Sequence, residues 1–240
     1  MKQEIMYKGL AKYYDLIYNW KDYKKEAGKI KKLISKYKKS GGNDLLEAGC
    51  GTGRHLKFFE DKFFCMGMDI NKEMLDAASK NLNKSVLKRI DMVDFRLNKK
   101  FDVILCLFSS IGYVKTYSNL KRTIRSFANH LKKGGVIIIE PWFGKSEYKS
   151  GKPWMTTYDG ENIKIARLNV SKVKNGASIL DFHFLIAEKN KDVRYFADRH
   201  QLGLFEVKKT LSIMEENSLK AVFLKNGLMK DRGLYIAVKN

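Results

Sequence analysis

Two prolines and three cysteines are all that the 240-residue chain holds of either, and both scarcities exclude something. So few prolines leave little room for disordered linkers. Cys50, Cys65 and Cys106 are odd in number, form no C-x-x-C pair and lie in or beside apolar strand-like runs, so no disulfide framework is expected. No cluster of His, Cys or carboxylates has metal-ligand spacing, and no metal is expected. Long apolar runs are missing too: none approaches the roughly 20 residues of a membrane helix. The first residues, Met-Lys-Gln-Glu-Ile-Met-Tyr-Lys, lack the apolar core of a secretion signal, which gives the expectation of a cytoplasmic protein with no membrane attachment. Negative charge is also scarce, 26 acidic residues against 47 basic ones for a net charge of +21. That balance invites a nucleic-acid reading. Yet 38 of the basic residues are Lys and only 9 are Arg, the residue favoured for bidentate phosphate and base contacts. The lysines are scattered over nearly every segment, so a solvated surface is the plainer reading. Attraction of a polyanion or of an anionic small substrate is the other.

What is present is a rhythm. Between residues 44 and 140, short apolar runs (Leu45–Ala48, Phe63–Met68, Val86–Ile90, Phe101–Leu107 and Val136–Ile139) alternate with helical patterns at Arg54–Asp61, Lys72–Leu82 and Asn119–Lys132. The last of these is read as ending at Lys133-Gly134-Gly135, a glycine-terminated helix. Such alternation predicts an α/β fold with a doubly wound, mostly parallel sheet in one domain with a large core. Residues 10–39 read as one or two Tyr- and Lys-rich helices, a candidate lid. After residue 143 the rhythm changes to long strand-like runs, Asn162–Val173, Ser178–Ala187 and Val193–Phe205, the first two joined by the hairpin signal Asn175-Gly176. Leu180, Phe182, Phe184 and Ile186 alternate with more polar positions, so this antiparallel sheet has one apolar face. A helix near Glu206–Asn217 and strands at Leu219–Leu224 and Gly233–Val238 close the chain. The expected organisation is a core of residues 1–143 and 206–240 around an inserted antiparallel subdomain, 144–205.

In such sheets ligands bind at the carboxyl ends of strands. The first strand runs into Glu47-Ala48-Gly49-Cys50-Gly51-Thr52-Gly53, whose glycines let backbone amides approach a ligand and permit a tight turn. The G-x-G-x-G spacing departs from the dinucleotide fingerprint G-x-G-x-x-G and points toward S-adenosylmethionine. The second strand ends on Asp69, a carboxylate suited to two ribose hydroxyls or, alternatively, a cap for the following helix. The third ends before Asp91-Met92, an acceptor for an adenine amino group beside a polarizable side chain for its ring. The fourth ends at Leu107-Phe108-Ser109-Ser110, near the reacting centre. Four such features at four consecutive strand ends are hard to obtain from capping and packing alone.

These residues resemble the class I S-adenosylmethionine-dependent methyltransferases. Tyr14-Asp15, Lys21-Asp22-Tyr23, the glycine segment with His55-Leu56, Asp91-Met92, Phe108–Tyr113, Glu140-Pro141-Trp142, Val193–Phe196, His200, Leu204-Phe205 and Arg232-Gly233-Leu234 look like the nucleotide-diphospho-amino-sugar N,N-dimethyltransferases of deoxysugar biosynthesis. The resemblance spans nearly the whole chain. It implies a Rossmann-like methyltransferase sheet of seven strands with an added antiparallel sheet, and methylation of a sugar amino group in two rounds. Its implied donor site is Tyr14, Tyr23, Glu47, Ala48, Gly49, Cys50, Gly51, Gly53, Asp69, Ile70, Met74, Asp91, Met92 and Leu107. The implied acceptor site is Tyr7, Ser109, Tyr113, Trp142, His200 and Arg232, with Tyr113 orienting the amine or taking its proton. A homodimer is implied as well. Of the other histidines, His130 reads as structural and His55 as a support of the glycine turn. Two departures weaken the link to a particular sugar: Trp142 runs directly into Phe143-Gly144 without a second Trp, and Lys225–Asp231 lacks a Gly-Gly-Pro-Ser pattern.

Three other readings stand beside this one. A nucleic-acid methyltransferase would show Asn/Asp-Pro-Pro-Tyr/Phe after the fourth strand or a Pro-Cys nucleophile, whereas the only prolines precede Trp142 and Trp154. A methyltransferase of another small amine would accept free amines. A non-catalytic donor-binding module would bind S-adenosylhomocysteine and turn over nothing.

Overall fold

The computed structural model describes residues 9–229 and 231–240. Helices α1 (Ala11–Ile17) and α2 (Tyr23–Tyr37) lead into strand β1 (Asp44–Ala48), then β2 (Phe64–Asp69), α3 (Lys72–Asn81), β3 (Val86–Arg89) and β4 (Phe101–Cys106). Helix α4 (Tyr117–His130) and β5 (Leu131–Ile139) follow, and then four consecutive strands, β6 (Pro153–Asp159), β7 (Ile163–Lys174), β8 (Ala177–Glu188) and β9 (Arg194–Gly203). Helix α5 (Val207–Glu215), β10 (Leu219–Leu224) and β11 (Leu234–Lys239) complete the fold.

The first sheet has seven strands in the order β10-β11-β5-β4-β1-β2-β3, parallel from β5 to β3 and antiparallel at β11 and β10. Alternation sends successive β1 side chains to opposite faces. Leu45 packs with Ile30 and Ile34 of α2, and Leu46 with Leu120, Ile124 and Phe127 of α4. Those three α4 residues recur at helical spacing and are fully buried, which is why this helix lies flat on the sheet. The central strand β4 is covered on both faces, and its unbroken run Val103-Ile104-Leu105-Cys106 is wholly buried.

The second sheet, β6-β7-β8-β9, is antiparallel throughout. Asn175 and Gly176 both take positive φ, 51° and 73°, the type I′ geometry that a two-residue hairpin needs. Leu180, Phe182, Phe184 and Ile186 are buried as the alternation predicts, against Leu10, Tyr13 and Ile17 from the amino-terminal segment. Helix α1 is therefore packed on the antiparallel sheet.

Three elements differ from expectation. The helix predicted at Arg54–Asp61 shrinks to one 3-10 turn, Leu56–Phe58. Leu56 and Phe59, both fully buried, sit three apart, the period of a 3-10 turn, and His55 is held sideways by a 2.7 Å bond to Glu26. Helix α4 stops at His130, before the two glycines, because Leu131 turns extended and pairs with Phe101. Gly134, at φ 73°, serves instead where the end of α2 comes close: its carbonyl accepts from Lys39 and Ser40 N–H at 2.7 and 3.0 Å. Strand β6 was not anticipated. Its run Pro153–Asp159 is mostly exposed and carries no clean alternation, so only pairing with β7 makes it a strand.

Candidate active site

Strand order reverses between β1 and β4, which opens a crevice at their carboxyl ends. The glycine loop lines one side. Gly49 and Cys50 N–H both donate to the Met68 carbonyl, at 2.8 and 3.0 Å, and Gly51 N–H donates to Asp69 Oδ2 at 2.9 Å. Gly49 has φ 68°, and a Cβ there would stand 2.7 Å from Ser110 Cβ, so the loop after β1 touches the loop after β4 only because that Cβ is missing. Around Gly51 nothing lies within 4 Å of a Cβ position, which leaves its backbone face open.

Asp69 also accepts from Asn71 N–H at 2.9 Å, while Asn71 itself caps α3 by accepting from Glu73 and Met74. The capping alternative for Asp69 thus passes to Asn71. Burial raises the Asp69 carboxyl above its ordinary range. Glu47 is buried in β1 with Oε2 lacking any hydrogen-bond partner among the described residues. Burial, and next the charge of Asp69, pushes it up to about 8. An orphaned buried carboxyl oxygen, an open glycine backbone and a carboxylate at the end of β2 are groups that fit the polar end and ribose of S-adenosylmethionine. Met92 joins them, its Cε 3.1 Å from where a Gly49 Cβ would stand, and Ile70 is 62% exposed beside them. Asp91 is exposed and accepts from Val93 N–H at 2.9 Å. Ala48 and Leu107 are buried at the ends of their strands, and Gly53 closes the loop through a 2.9 Å bond to the Cys50 carbonyl. Met74 is fully buried within α3.

The amino-terminal helices cover this loop. Asp15 accepts from Thr52 Oγ1 at 2.8 Å, tying α1 to the glycine segment. Tyr23, at the start of α2, lies edge-on to His55 at 4.8 Å with the Arg54 guanidinium 5.0 Å from its ring. Tyr14 packs against Tyr18 at 4.8 Å, and Tyr18 against Phe108 at 5.0 Å. Tyr7 lies outside the described residues. Beneath, Lys21 donates to Glu26 at 2.5 Å and sits 4.4 Å from the Phe108 ring. Burial would raise the Glu26 carboxyl, but bonds from His55 and Lys21 outweigh it and hold it below its ordinary range.

The other side of the crevice is built after β4. Phe108 and Ser109 both take left-handed backbone, φ 48° and 63°, a conformation costing about 1–3 kcal/mol per residue that persists where surroundings enforce it. Here they do: Phe108 N–H donates to Glu140 Oε2 at 2.8 Å, and Ser109 Oγ donates to the Pro141 carbonyl at 2.9 Å. Arg232 reaches in from the segment before β11, donating to Ser109 Oγ at 2.9 Å and lying 4.5 Å from the Trp142 ring and 5.1 Å from Phe143. Trp142 is fixed by its own 2.8 Å bond to Ser178 Oγ. Burial lowers the Arg232 pKa, offset in part by Glu140. No carboxylate lies within ion-pair distance of Arg232 among the described residues, and its Nε lacks a partner. Tyr113 ends this loop. Its hydroxyl is 2.6 Å from Nδ1 of His200, whose Nε2 is 2.8 Å from Asp198 Oδ2.

Ser109, Tyr113, Trp142, His200 and Arg232 are thus gathered around one loop, from four distant stretches of chain. Asp198, Lys21, Glu26 and Tyr18 were missed as site residues. Only Asp198 had a usable signal: Asp198 and His200 alternate on one strand and so share a face. His130 is structural, stacked on Phe95 at 4.4 Å and accepting from Leu97 N–H at 2.9 Å. His183 meets Tyr195 on the outer face of the second sheet. Among the described residues no group of three or more His, Cys, Asp or Glu is arranged to hold a metal, and no helix is long and apolar enough to cross a membrane.

Fold and site together define a methyltransferase that uses S-adenosylmethionine, and the methyltransferase-domain family model matches residues 45–135. The chain is 34% identical over 231 residues to the dTDP-3-amino-3,4,6-trideoxy-alpha-D-glucopyranose N,N-dimethyltransferase of Streptomyces venezuelae, covering 95% of this chain and 97% of that one. A Streptomyces fradiae enzyme, dTDP-3-amino-3,6-dideoxy-alpha-D-glucopyranose N,N-dimethyltransferase, is 28% identical over 94% of this chain and 89% of its own. The crystal structure of DesVI from Streptomyces venezuelae matches with a TM-score of 0.90 at 34% identity, over 96% of this chain and 98% of that one. The chain belongs to the family of amino-sugar N,N-dimethyltransferases.

Proposed function

We propose that the enzyme methylates, in two successive rounds, the amino group of a deoxyamino sugar carried on a nucleoside diphosphate. The observation that carries this is Arg232: a half-buried guanidinium with no carboxylate ion pair among the described residues, held by Ser109 and two aromatic rings beside the loop that carries Tyr113. A cation partly withdrawn from water without an anionic partner is costly, and a phosphate oxygen is a fitting complement to its Nε–H. The names of the relatives point to the same acceptor class.

When bound, S-adenosylmethionine supplies an electrophilic methyl group. Glu47, Asp69 and the Gly49–Gly51 backbone are the residues proposed to hold it, with Ile70 and Met92 against its adenine. The chain's own contribution is placement and desolvation: Arg232 and Trp142 fix the acceptor, and Tyr113 orients the amine and takes its proton. Incubation with S-adenosylmethionine and a set of nucleotide-linked 3-amino and 4-amino sugars tests the reading by mass spectrometry. Stepwise gain of one and then two methyl groups is expected; no gain from any of them removes it, and methyl incorporation into RNA instead would revive the nucleic-acid reading.

We propose further that the enzyme is a homodimer joined through the outer face of the second sheet. There Met155 sits beside Leu168 and Leu185 beside Tyr195, all exposed, with Val193 nearby. Exposed apolar side chains gathered on one sheet face mark a candidate interaction surface. Sedimentation should show a dimer that Leu185→Lys dissociates.

A further inference from the structure

We propose that a cleft between α4 and the loop joining β3 to β4 binds a compact phosphate-bearing anion, of the size of a nucleotide's phosphate chain, at the end of the sheet away from the crevice. The cleft holds about 890 Å³. Five cations line it, Arg96, Lys99, Lys100, Arg122 and Arg125, against the single carboxylate of Asp94. Lys100 immediately precedes β4 and His130 immediately precedes β5, so this opening lies toward the amino ends of strands whose carboxyl ends border the crevice. The six residues of β4 put the two roughly 17–20 Å apart.

Arginine, rather than charge alone, singles the cleft out. Lysines are spread over nearly every segment, whereas three of the chain's nine arginines meet here. The others are all engaged: Arg54, Arg194 and Arg199 with carboxylates, Arg89 with a carbonyl, and Arg167 and Arg232 with hydroxyls. Within the cleft Arg122 holds Asp94 at 2.9 Å and Lys99 holds Asp44 at 2.7 Å. Arg96 and Arg125 differ from every other arginine, being exposed and making no hydrogen bond, ion pair or ring contact among the described residues. The one carboxylate present is thus already taken. The uncompensated field reaches Lys239, which donates to the Ala128 and Leu131 carbonyls and whose pKa is lowered by burial and next by the charge of Lys100.

The cations stand on a fixed base. Arg122, Arg125 and Asn129 recur at three- and four-residue spacing on α4, which makes one stripe about 10 Å long. Below it the His130 ring stacks on Phe95 at 4.4 Å, and its Nε2 accepts from Leu97 N–H at 2.9 Å, so the loop backbone is tied to the helix. Sites held in place before binding lose less on ordering their groups. A guanidinium's planar fork matches phosphate oxygens two at a time, which favours a phosphate group as the ligand of Arg96 and Arg125. Single-stranded nucleic acid would in addition want an aromatic platform for its bases. The cleft offers none, because Phe95 is 5% exposed and already covered by His130, itself buried.

Titration calorimetry with inorganic tripolyphosphate at about 0.15 M salt tests this. Wild-type protein should bind it, and Arg96→Ala with Arg125→Ala should raise Kd at least about tenfold without moving the thermal midpoint, since neither side chain touches the rest of the fold. Lys29→Ala with Lys174→Ala removes the same charge from exposed positions elsewhere and should change Kd by no more than about twofold. Arg232→Ala should keep the binding, which separates the cleft from the crevice. Equal weakening by the arginine and lysine pairs would assign the effect to net charge and overturn the proposal, as would loss of binding in Arg232→Ala alone. Binding of RNA or of an acidic peptide that needs Arg96 and Arg125, with none of tripolyphosphate, would also overturn it.

Discussion

The two sheets hold their polar groups in opposite ways. In the seven-stranded sheet the site is local: Gly49, Gly51 and Asp69 meet within one β1-loop-β2 unit, joined by backbone amides. On the acceptor side nothing is local. Ser109 meets Arg232 across 123 residues and Tyr113 meets His200 across 87. On the proposed roles, donor binding is a property of a motif, whereas acceptor binding depends on two sheets and the segment before β11 docking correctly. The two should fail separately.

The largest break is expected at the glycine loop. Gly49→Val places a branched side chain into Ser110 at a positive φ, and calorimetry should find S-adenosylhomocysteine affinity down about 100-fold, on the order of the 1–3 kcal/mol of such backbone strain plus the clash. Arg232→Ala probes the other half. It should raise KM for a nucleotide-linked acceptor about 30- to 100-fold, since loss of a hydrogen-bonded charge pair at a binding site costs about 2–5 kcal/mol, yet leave donor affinity nearly unchanged. Equal losses of both would erase the proposed separation.

A pH experiment sharpens the donor side. Glu47 in the folded protein keeps its proton up to about pH 8, whereas its ordinary value is 4.5. The folded state therefore binds the extra proton between those values, so this group's contribution to stability falls as pH rises through that window. Glu47→Gln should flatten the decline of thermal midpoint between pH 5 and 8 by a few degrees; an unaltered slope would place the charge elsewhere. The smallest effect belongs to Asn71→Ala, which removes the cap of α3. It should cost about 1 kcal/mol in denaturant unfolding and alter acceptor KM not at all.

Much of the parallel sheet was legible because burial on both faces writes itself as unbroken apolar runs, as in Val103–Cys106. Strand β6 was illegible because its side chains stay mostly exposed and only its pairing with β7 defines it. The helix expected at Arg54–Asp61 was shortened by contacts from α2, through Glu26 on His55, that no local pattern records. Similarly, Gly134 follows a helical pattern as a terminator would, but its positive φ serves the approach of Lys39 and Ser40. In each case tertiary packing overrode propensity.

By itself the sequence determined the cofactor and the layered α/β plan, since glycine spacing and strand-end carboxylates act over a few residues and need only local backbone geometry. It also determined the hairpin at Asn175-Gly176, where φ is positive at both positions. Only the tertiary structure decided that Arg232 ends between Ser109 and Trp142, that Asp198 stands behind His200, and that α1 packs on the second sheet. Those placements depend on burying apolar faces from distant segments against one another, and the hydrophobic effect that drives such burial is non-directional. The partners of a buried charge become fixed only once those faces have met.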